Sequence, residues 1–207
     1  MTDQYLHTPN AAISWKQRCA LRLLNVFKWK VRVAPLPGLH GVIIFYPHTS
    51  NWDFVIGILA KWAVDAPFRW LGKESLFNGL TGKLFGPMLR SWGGEPVERG
   101  ASTGAIERLA QRFNTPDLYW LCFSPEGTRK YRDHWRSGFY HIALAAKVPL
   151  AMVYLDYSIK EIGFVDYIHL SGDIEADLDQ IRRIYQGRRG LYHENAAPIT
   201  LTRPDPP

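Results

Sequence analysis

The sequence predicts an α/β fold, a mostly parallel sheet flanked by helices and preceded by an N-terminal amphipathic helical segment, and three observations carry that prediction. Short apolar runs of strand length alternate with longer stretches of helical periodicity, the pattern of a parallel sheet with crossover helices on both faces. Glycine and proline punctuate these runs, with Gly93 and Gly94 between a helical stretch and a short strand and Pro125 and Gly127 just after another strand. Finally, no internal repeat, low-complexity segment or linker divides the 207 residues. That length fits one domain able to bury roughly 70% of the surface its unfolded chain exposes.

The first element, 12–31, reads as a helix. Trp15, Cys19, Leu23, Val26 and Phe27 fall on one face and Gln17, Arg18, Arg22, Asn25 and Lys28 on the other, although Lys16 and Lys30 interrupt the apolar face and Trp29 lies on the polar one. The run Gly41-Val42-Ile43-Ile44-Phe45-Tyr46 predicts a strand over 41–47, and Ser50-x-x-Asp53 is a capping-box pattern that opens a helix over 52–65. Strands at 67–72 and 95–98 then alternate with helices at 78–91 and 101–114. Leu118 to Phe123 reads as a buried strand over 118–124, followed by a helix at 138–147 and strands at 149–155 and 163–170. In the last helix, 174–187, Ile174, Leu178, Ile181 and Tyr185 recur at helical spacing and Gly187 is a C-cap. The organisation is therefore a basic amphipathic segment (1–34), an α/β domain (35–190) and an irregular, poorly ordered tail (191–207).

Composition narrows the class. Hydrophobic residues make up 46% of the chain, but no run approaches the roughly 20 apolar residues of a spanning helix. Met1 to Asn10 lacks the basic start and apolar core of a signal peptide, which implies a cytoplasmic location. Cys19 and Cys122 then read as free core thiols. Of the excess charge of +6, all is carried by Lys16, Arg18, Arg22, Lys28, Lys30 and Arg32, which lie in a stretch from Gln4 to Trp52 without an acid. A basic, Trp-bearing amphipathic helix suits an anionic membrane surface, so the expectation is a peripheral protein on the cytoplasmic face. The same segment could equally pack on the domain. Arg182, Arg183, Arg188 and Arg189 form a second basic cluster, either a solvated face or a headgroup contact. No nucleic-acid motif accompanies the charge.

The chemistry concentrates at three strand ends. In Pro47-His48-Thr49-Ser50-Asn51-Trp52-Asp53, the Asp53 carboxylate can reach one nitrogen of His48 and leave the other to take a proton from a substrate hydroxyl. No nucleophilic Ser or Cys stands beside the pair. The competing reading of Asp53 is the capping box alone. In Ser124-Pro125-Glu126-Gly127-Thr128-Arg129, Gly127 permits close backbone approach to a ligand and Arg129 offers a planar fork for phosphate, or else a surface ion pair with Glu126. Arg99 either faces the same phosphate or is a solvated strand-end residue. Asp133, His134 and His141 match no ligand spacing, and no metal is expected.

The ordered set His48-x4-Asp53, Gly94-x-Pro96-Val97-x-Arg99, Phe123-x-Pro125-Glu126-Gly127-Thr128-Arg129 and Val148-Pro149 resembles the four blocks of the glycerolipid acyltransferase family, which includes the lysophosphatidic acid acyltransferases. The resemblance covers residues 41 to about 155. It departs at Pro47, where the family often has Asn, at Glu95, where it has an apolar residue, and at Glu98, where Asp is usual. It implies transfer of a fatty acyl group from acyl-coenzyme A or acyl-carrier protein to a lysolipid hydroxyl, with no bound cofactor and no acyl-enzyme. The acceptor implied is lysophosphatidic acid or a related lysophospholipid. His48 is then the base, Asp53 its orienting partner, and Arg99, Glu126, Gly127, Thr128 and Arg129 form the acceptor site, with Glu126 on an acceptor hydroxyl or orienting an arginine. Backbone N–H groups of the Glu126-Gly127 loop or of the turn after His48 are the expected donors to the carbonyl oxygen. The family also acts on other lysolipids and on ornithine lipids, which leaves the headgroup open. Two other readings remain: a hydrolase that turns the same pair on water, and a non-catalytic lipid-binding protein.

Overall fold

A computed structural model of the chain describes residues 13–97 and 104–201. Its strands β1 (Lys30–Val33), β2 (His40–Tyr46), β3 (Arg69–Lys73), β4 (Gly94–Val97), β5 (Tyr119–Phe123), β6 (Leu150–Asp156) and β7 (Glu161–Ile168) form one sheet in the order β1-β7-β6-β2-β5-β3-β4. From β6 to β4 all neighbours are parallel, whereas β7 runs antiparallel to β6 and β1 parallel to β7. The parallel strands are joined through α2 (Asn51–Ala63), α3 (Gly79–Ser91), α4 (Ala105–Gln111) and α5 (Gly138–Ala146), with α1 (Trp15–Val26) before the sheet and α6 (Ile174–Tyr185) after it.

Val42, Ile43 and Ile44 are all buried because β2 is central and covered on both faces. Val42 and Ile44 pack with Leu121, with Phe139 and Ile142 of α5 and with Leu178 and Ile181 of α6. On the opposite face Ala20 and Leu24 of α1 and Ile56, Ala60 and Ala63 of α2 meet Leu155 and Ile162. Strand β2 is thereby fixed in the middle of the molecule, and the turn that follows it opens at the carboxyl edge of the parallel strands.

One strand was not expected. Residues 30–33, the first two of them read as the end of the helix over 12–31, form β1 at the sheet's edge. Helix α1 stops at Val26 because Lys28 adopts the left-handed conformation (φ 61°), and its N–H and that of Trp29 turn back to the carbonyls of Asn25 (2.9 Å) and Leu24 (2.8 Å). This is a Schellman stop. It carries no glycine, so the helical periodicity gives no warning of it.

Helix α1 docks by a narrow strip. Gln17, Ala20 and Leu24 are buried, and the Gln17 amide donates to the carbonyl of Ala63 at 3.0 Å. The apolar face anticipated from the sequence points outward, with Trp15 65%, Val26 71% and Phe27 59% exposed and Leu23 also exposed. Packing on the domain and display of an apolar stripe are thus both realised by different faces of one helix. For the same reason Cys19, expected in the core, is exposed. The Cys122 thiol is pushed up to about 12 by burial.

The tail also departs from expectation. Residues 191–201 are irregular apart from a 3-10 turn at His193–Asn195, and although six of the eleven are exposed the segment is anchored at defined points. Ala197 is buried, its carbonyl accepts from the Tyr46 hydroxyl at 3.0 Å, and the carbonyl of Thr200 accepts from the Trp135 N–H at 2.7 Å. In the second basic cluster, Arg182 pairs with Glu175 and Asp179, and Arg188 stacks 3.6 Å from the centre of the Tyr154 ring and lies 3.6 Å from Asp156. Among the described residues no helix is long and apolar enough to cross a membrane.

Candidate active site

Strand β2 ends at Tyr46, and a cis Tyr46-Pro47 bond leads into the turn that carries His48. Ser50 then caps α2, and Asp53 occupies its first turn in a complete capping box. The Asp53 carboxylate is wholly buried and surrounded by donors. Its Oδ2 accepts from the backbone N–H groups of Thr49 and Ser50, both at 2.7 Å, and lies 3.1 Å from His48 Nδ1. Its Oδ1 accepts from the Tyr157 hydroxyl at 2.7 Å. The two readings of Asp53, helix cap and histidine partner, are therefore compatible: one oxygen serves both. A carboxylate that only accepts assigns the proton to Nδ1 of His48, which leaves the lone pair on Nε2. The histidine side chain is 18% exposed and lies edge-on to Phe45, with ring centres 5.9 Å apart.

Strand β5 pairs with β2 in the sheet, Phe123 opposite Ile44, so the loop 124–129 emerges beside the His48 turn. Glu126 is 1% exposed, and its carboxylate ties two distant segments together. Oε2 accepts from the backbone N–H of His48 at 2.6 Å and Oε1 from that of Ala197 at 2.9 Å. Its partners are thus backbone groups, where the sequence suggested an acceptor hydroxyl or an arginine. Gly127 has φ 64°, and a Cβ there would come within 2.8 Å of Arg136 Nε, so this position admits only glycine without strain. Thr128 accepts from the N–H of Lys130 at 3.3 Å. Arg129 is exposed and makes no ion pair with Glu126. Arg99 lies outside the described residues.

Burial raises the Glu126 carboxyl to about 7, opposed by the two backbone hydrogen bonds and assisted by the charge of Asp53. A folded value above the ordinary 4.5 means that the folded protein holds this proton more tightly than the unfolded chain. Stability from this group is present below about pH 4.5 and lost as pH rises through about 7, a change on the order of 3 kcal/mol. Urea unfolding at pH 5 and pH 8 should therefore show the unmodified protein losing stability relative to Glu126→Gln. Parallel curves for the two proteins would mean that Glu126 titrates alike in the folded and unfolded chains.

His48 and Asp53 line an apolar cavity of about 180 Å³ between α2 and the sheet. Phe54, Gly57 and Lys61 of α2 form one wall, and Ile43, Val153 and Phe164 of the sheet form another. Ser124 also lines it, and its Oγ is buried with no hydrogen-bond partner among the described residues. Of the expected backbone donors, the N–H groups of Thr49 and Ser50 are committed to Asp53 and that of Gly127 to the carbonyl of Ser124 at 3.0 Å. Sequence reasoning missed Tyr157 and Ala197, which reach the site across 104 and 71 residues, and the buried Ser124 hydroxyl in the cavity wall. Among the described residues no group of three His, Cys, Asp or Glu is placed to hold a metal ion.

The profile of the Acyltransferase family matches residues 29–156. In fold the chain is similar to the crystal structure of the 1-acyl-sn-glycerophosphate (LPA) acyltransferase PlsC from Thermotoga maritima, with a TM-score of 0.51 and 14% sequence identity over 84% of this chain and 80% of that one. No curated protein matches in sequence.

Proposed function

The chain belongs to the acyltransferase family, and from that premise we propose that it moves a fatty acyl group from an acyl thioester to the hydroxyl of a lysolipid, lysophosphatidic acid or a related lysophospholipid. The observation that carries this reading is the His48–Asp53 pair set at the wall of a long apolar cavity. Along α2 the cavity runs from Asp53 to Val64, roughly 16 Å at 1.5 Å per residue. That is the length scale of a fatty chain, and the lining is of matching polarity.

In the proposed step, Nε2 of His48 takes the proton of the lysolipid hydroxyl as its oxygen attacks the thioester carbonyl carbon. The C–S bond then breaks, and the departing sulfur receives that proton from the imidazolium, giving ester and free thiol without an acyl-enzyme. Asp53 balances the charge on the imidazolium. The Ser124 hydroxyl, in the cavity wall and without a partner among the described residues, is assigned to the developing charge on the carbonyl oxygen. Arg129 with Gly127 and Thr128 at the loop tip, together with Arg99, would take the acceptor phosphate, while Glu126 holds the main chain of His48. Thiol release should be measured with acyl-coenzyme A and with acyl-carrier protein across a panel of lysolipids. Release that requires a lysolipid supports the transferase. Equal release without any acceptor would identify a hydrolase, and none under any condition would leave a lipid-binding protein.

A protein acting on lipids must reach the interface, and α1 supplies the means: an outward apolar stripe flanked by exposed Arg18, Arg22 and Lys28. We assign it to docking on the anionic cytoplasmic face of a membrane, where basic residues contribute roughly 1 kcal/mol each. Replacing Arg18, Arg22 and Lys28 with glutamine should release the protein from anionic vesicles in co-sedimentation, with turnover on a dispersed short-chain lysolipid retained. Binding of the unmodified protein should weaken with salt. No binding by the unmodified protein would refute the assignment.

A further inference from the structure

Tyr157 follows β6 directly and is held from three sides. Its backbone N–H donates to the carbonyl of Arg189 at 2.9 Å, its ring meets that of Trp29 edge-on with centres 4.9 Å apart, and its hydroxyl donates to Asp53 Oδ1 at 2.7 Å. Since Oδ2 already receives His48, Thr49 and Ser50, Tyr157 supplies the hydrogen bond that Oδ1 has among the described residues. Without it a fully buried carboxylate oxygen would lack a partner, which is costly for a charged group.

We propose that Tyr157 is a positioning residue of the His48–Asp53 pair: its hydroxyl fixes the rotation of the carboxylate and draws off part of its charge, and so sets how strongly His48 binds a proton. The proposal rests on the reading of His48 as the general base. The titratable groups facing Asp53 are His48 from the turn after β2, Tyr157 from the end of β6 and Glu126 from the loop after β5, with Tyr192 of the C-terminal segment acting on Tyr157. Burial and the bond to Asp53 both hold the Tyr157 proton in place, well above the ordinary range for a tyrosine. Tyrosine is thus the fixed donor across the working range, and the proton that moves is on His48. Tyr157 does not line the cavity, so its effect should fall on kcat rather than on the KM of the thioester.

The test is the pH dependence of kcat/KM for three proteins that share one ring shape: tyrosine, phenylalanine and 3-fluorotyrosine at position 157. Tyr157→Phe leaves more charge on Asp53 and strengthens its hold on the imidazolium. The acidic limb should move up by about half a unit or more, with kcat lowered roughly tenfold by the loosened pair. Fluorotyrosine is a stronger donor and should move the limb the other way, and it decides the matter if the phenylalanine variant fails to fold. Identical profiles in all three, or a fall in kcat that follows the melting temperature with no movement of the limb, would overturn the proposal. The Nδ1 proton resonance of His48 reads the same coupling without turnover, so a protein inactive on every lysolipid would sink the proposed function and still test this one. Movement of that resonance across the series supports the role of Tyr157, and constancy refutes it.

Discussion

Asp53→Asn is expected to lower acyl transfer by on the order of 10²- to 10⁴-fold while leaving a folded protein, the range attached to general-base assistance. Asparagine can keep much of the local geometry: its oxygen can stay with the N–H groups of Thr49, Ser50 and His48, and its amide can face the Tyr157 oxygen, which accepts as well as donates. As a helix cap it ranks with aspartate. What it cannot do is balance the imidazolium of the proposed step, and in a site with no exposure of residue 53 that deficit is poorly screened. Weakening the charge-assisted bonds to neutral ones should cost about 1 kcal/mol of stability. Urea unfolding and turnover measured on the same preparation separate the two effects. Near-normal turnover would reduce Asp53 to a cap.

His48→Ala should remove a comparable 10²- to 10⁴-fold of turnover, here with almost no structural penalty. The bond that anchors this turn to Glu126 uses the backbone N–H of residue 48, which alanine retains. The imidazole is partly exposed, and the Asp53 oxygen that it meets keeps the N–H groups of Thr49 and Ser50, so the melting temperature should stay close to that of the unmodified protein. Residual transfer should then come from thioester binding and from the Ser124 hydroxyl, and adding Ser124→Ala should lower it further. A His48→Ala protein that still transfers acyl groups at more than about a tenth of the original rate would exclude His48 as the base.

The alternation of elements was legible because each strand and helix carries its own apolar pattern and its own stop. β1 was not, since its boundary with α1 rests on a left-handed Lys28 where a reader expects glycine. The His48–Asp53 pair was legible because both residues lie within one turn, and the sequence posed partner and cap as rivals only because it cannot show one oxygen accepting three N–H groups at once. The surroundings of that pair were hidden for a different reason. Tyr157 and Ala197 enter the site through chain reversal, and no local spacing announces a contact made across 104 or 71 residues. The outward turn of the apolar stripe on α1 was similarly unreadable: it follows from the choice of Gln17, Ala20 and Leu24 as the docking strip, one polar and one small residue beside a single leucine.

The bridge that Glu126 makes between the N–H groups of His48 and Ala197 sets a schedule for the growing polypeptide. Strand β2 and its turn leave the ribosome first, and the carboxylate that steadies the turn follows. The amide that occupies the other oxygen of that carboxylate is polymerised only near residue 197, some seven to thirty seconds after His48 at the usual 5–20 residues per second. From the synthesis of Glu126 until residues 190–197 follow, the nascent chain offers that carboxylate the N–H of His48 but not that of Ala197, and Thr49 is not yet covered by Gly190 and Tyr192. A prematurely terminated product ending before Ala197 therefore carries His48 and Asp53 without the second hydrogen bond of the Glu126 bridge.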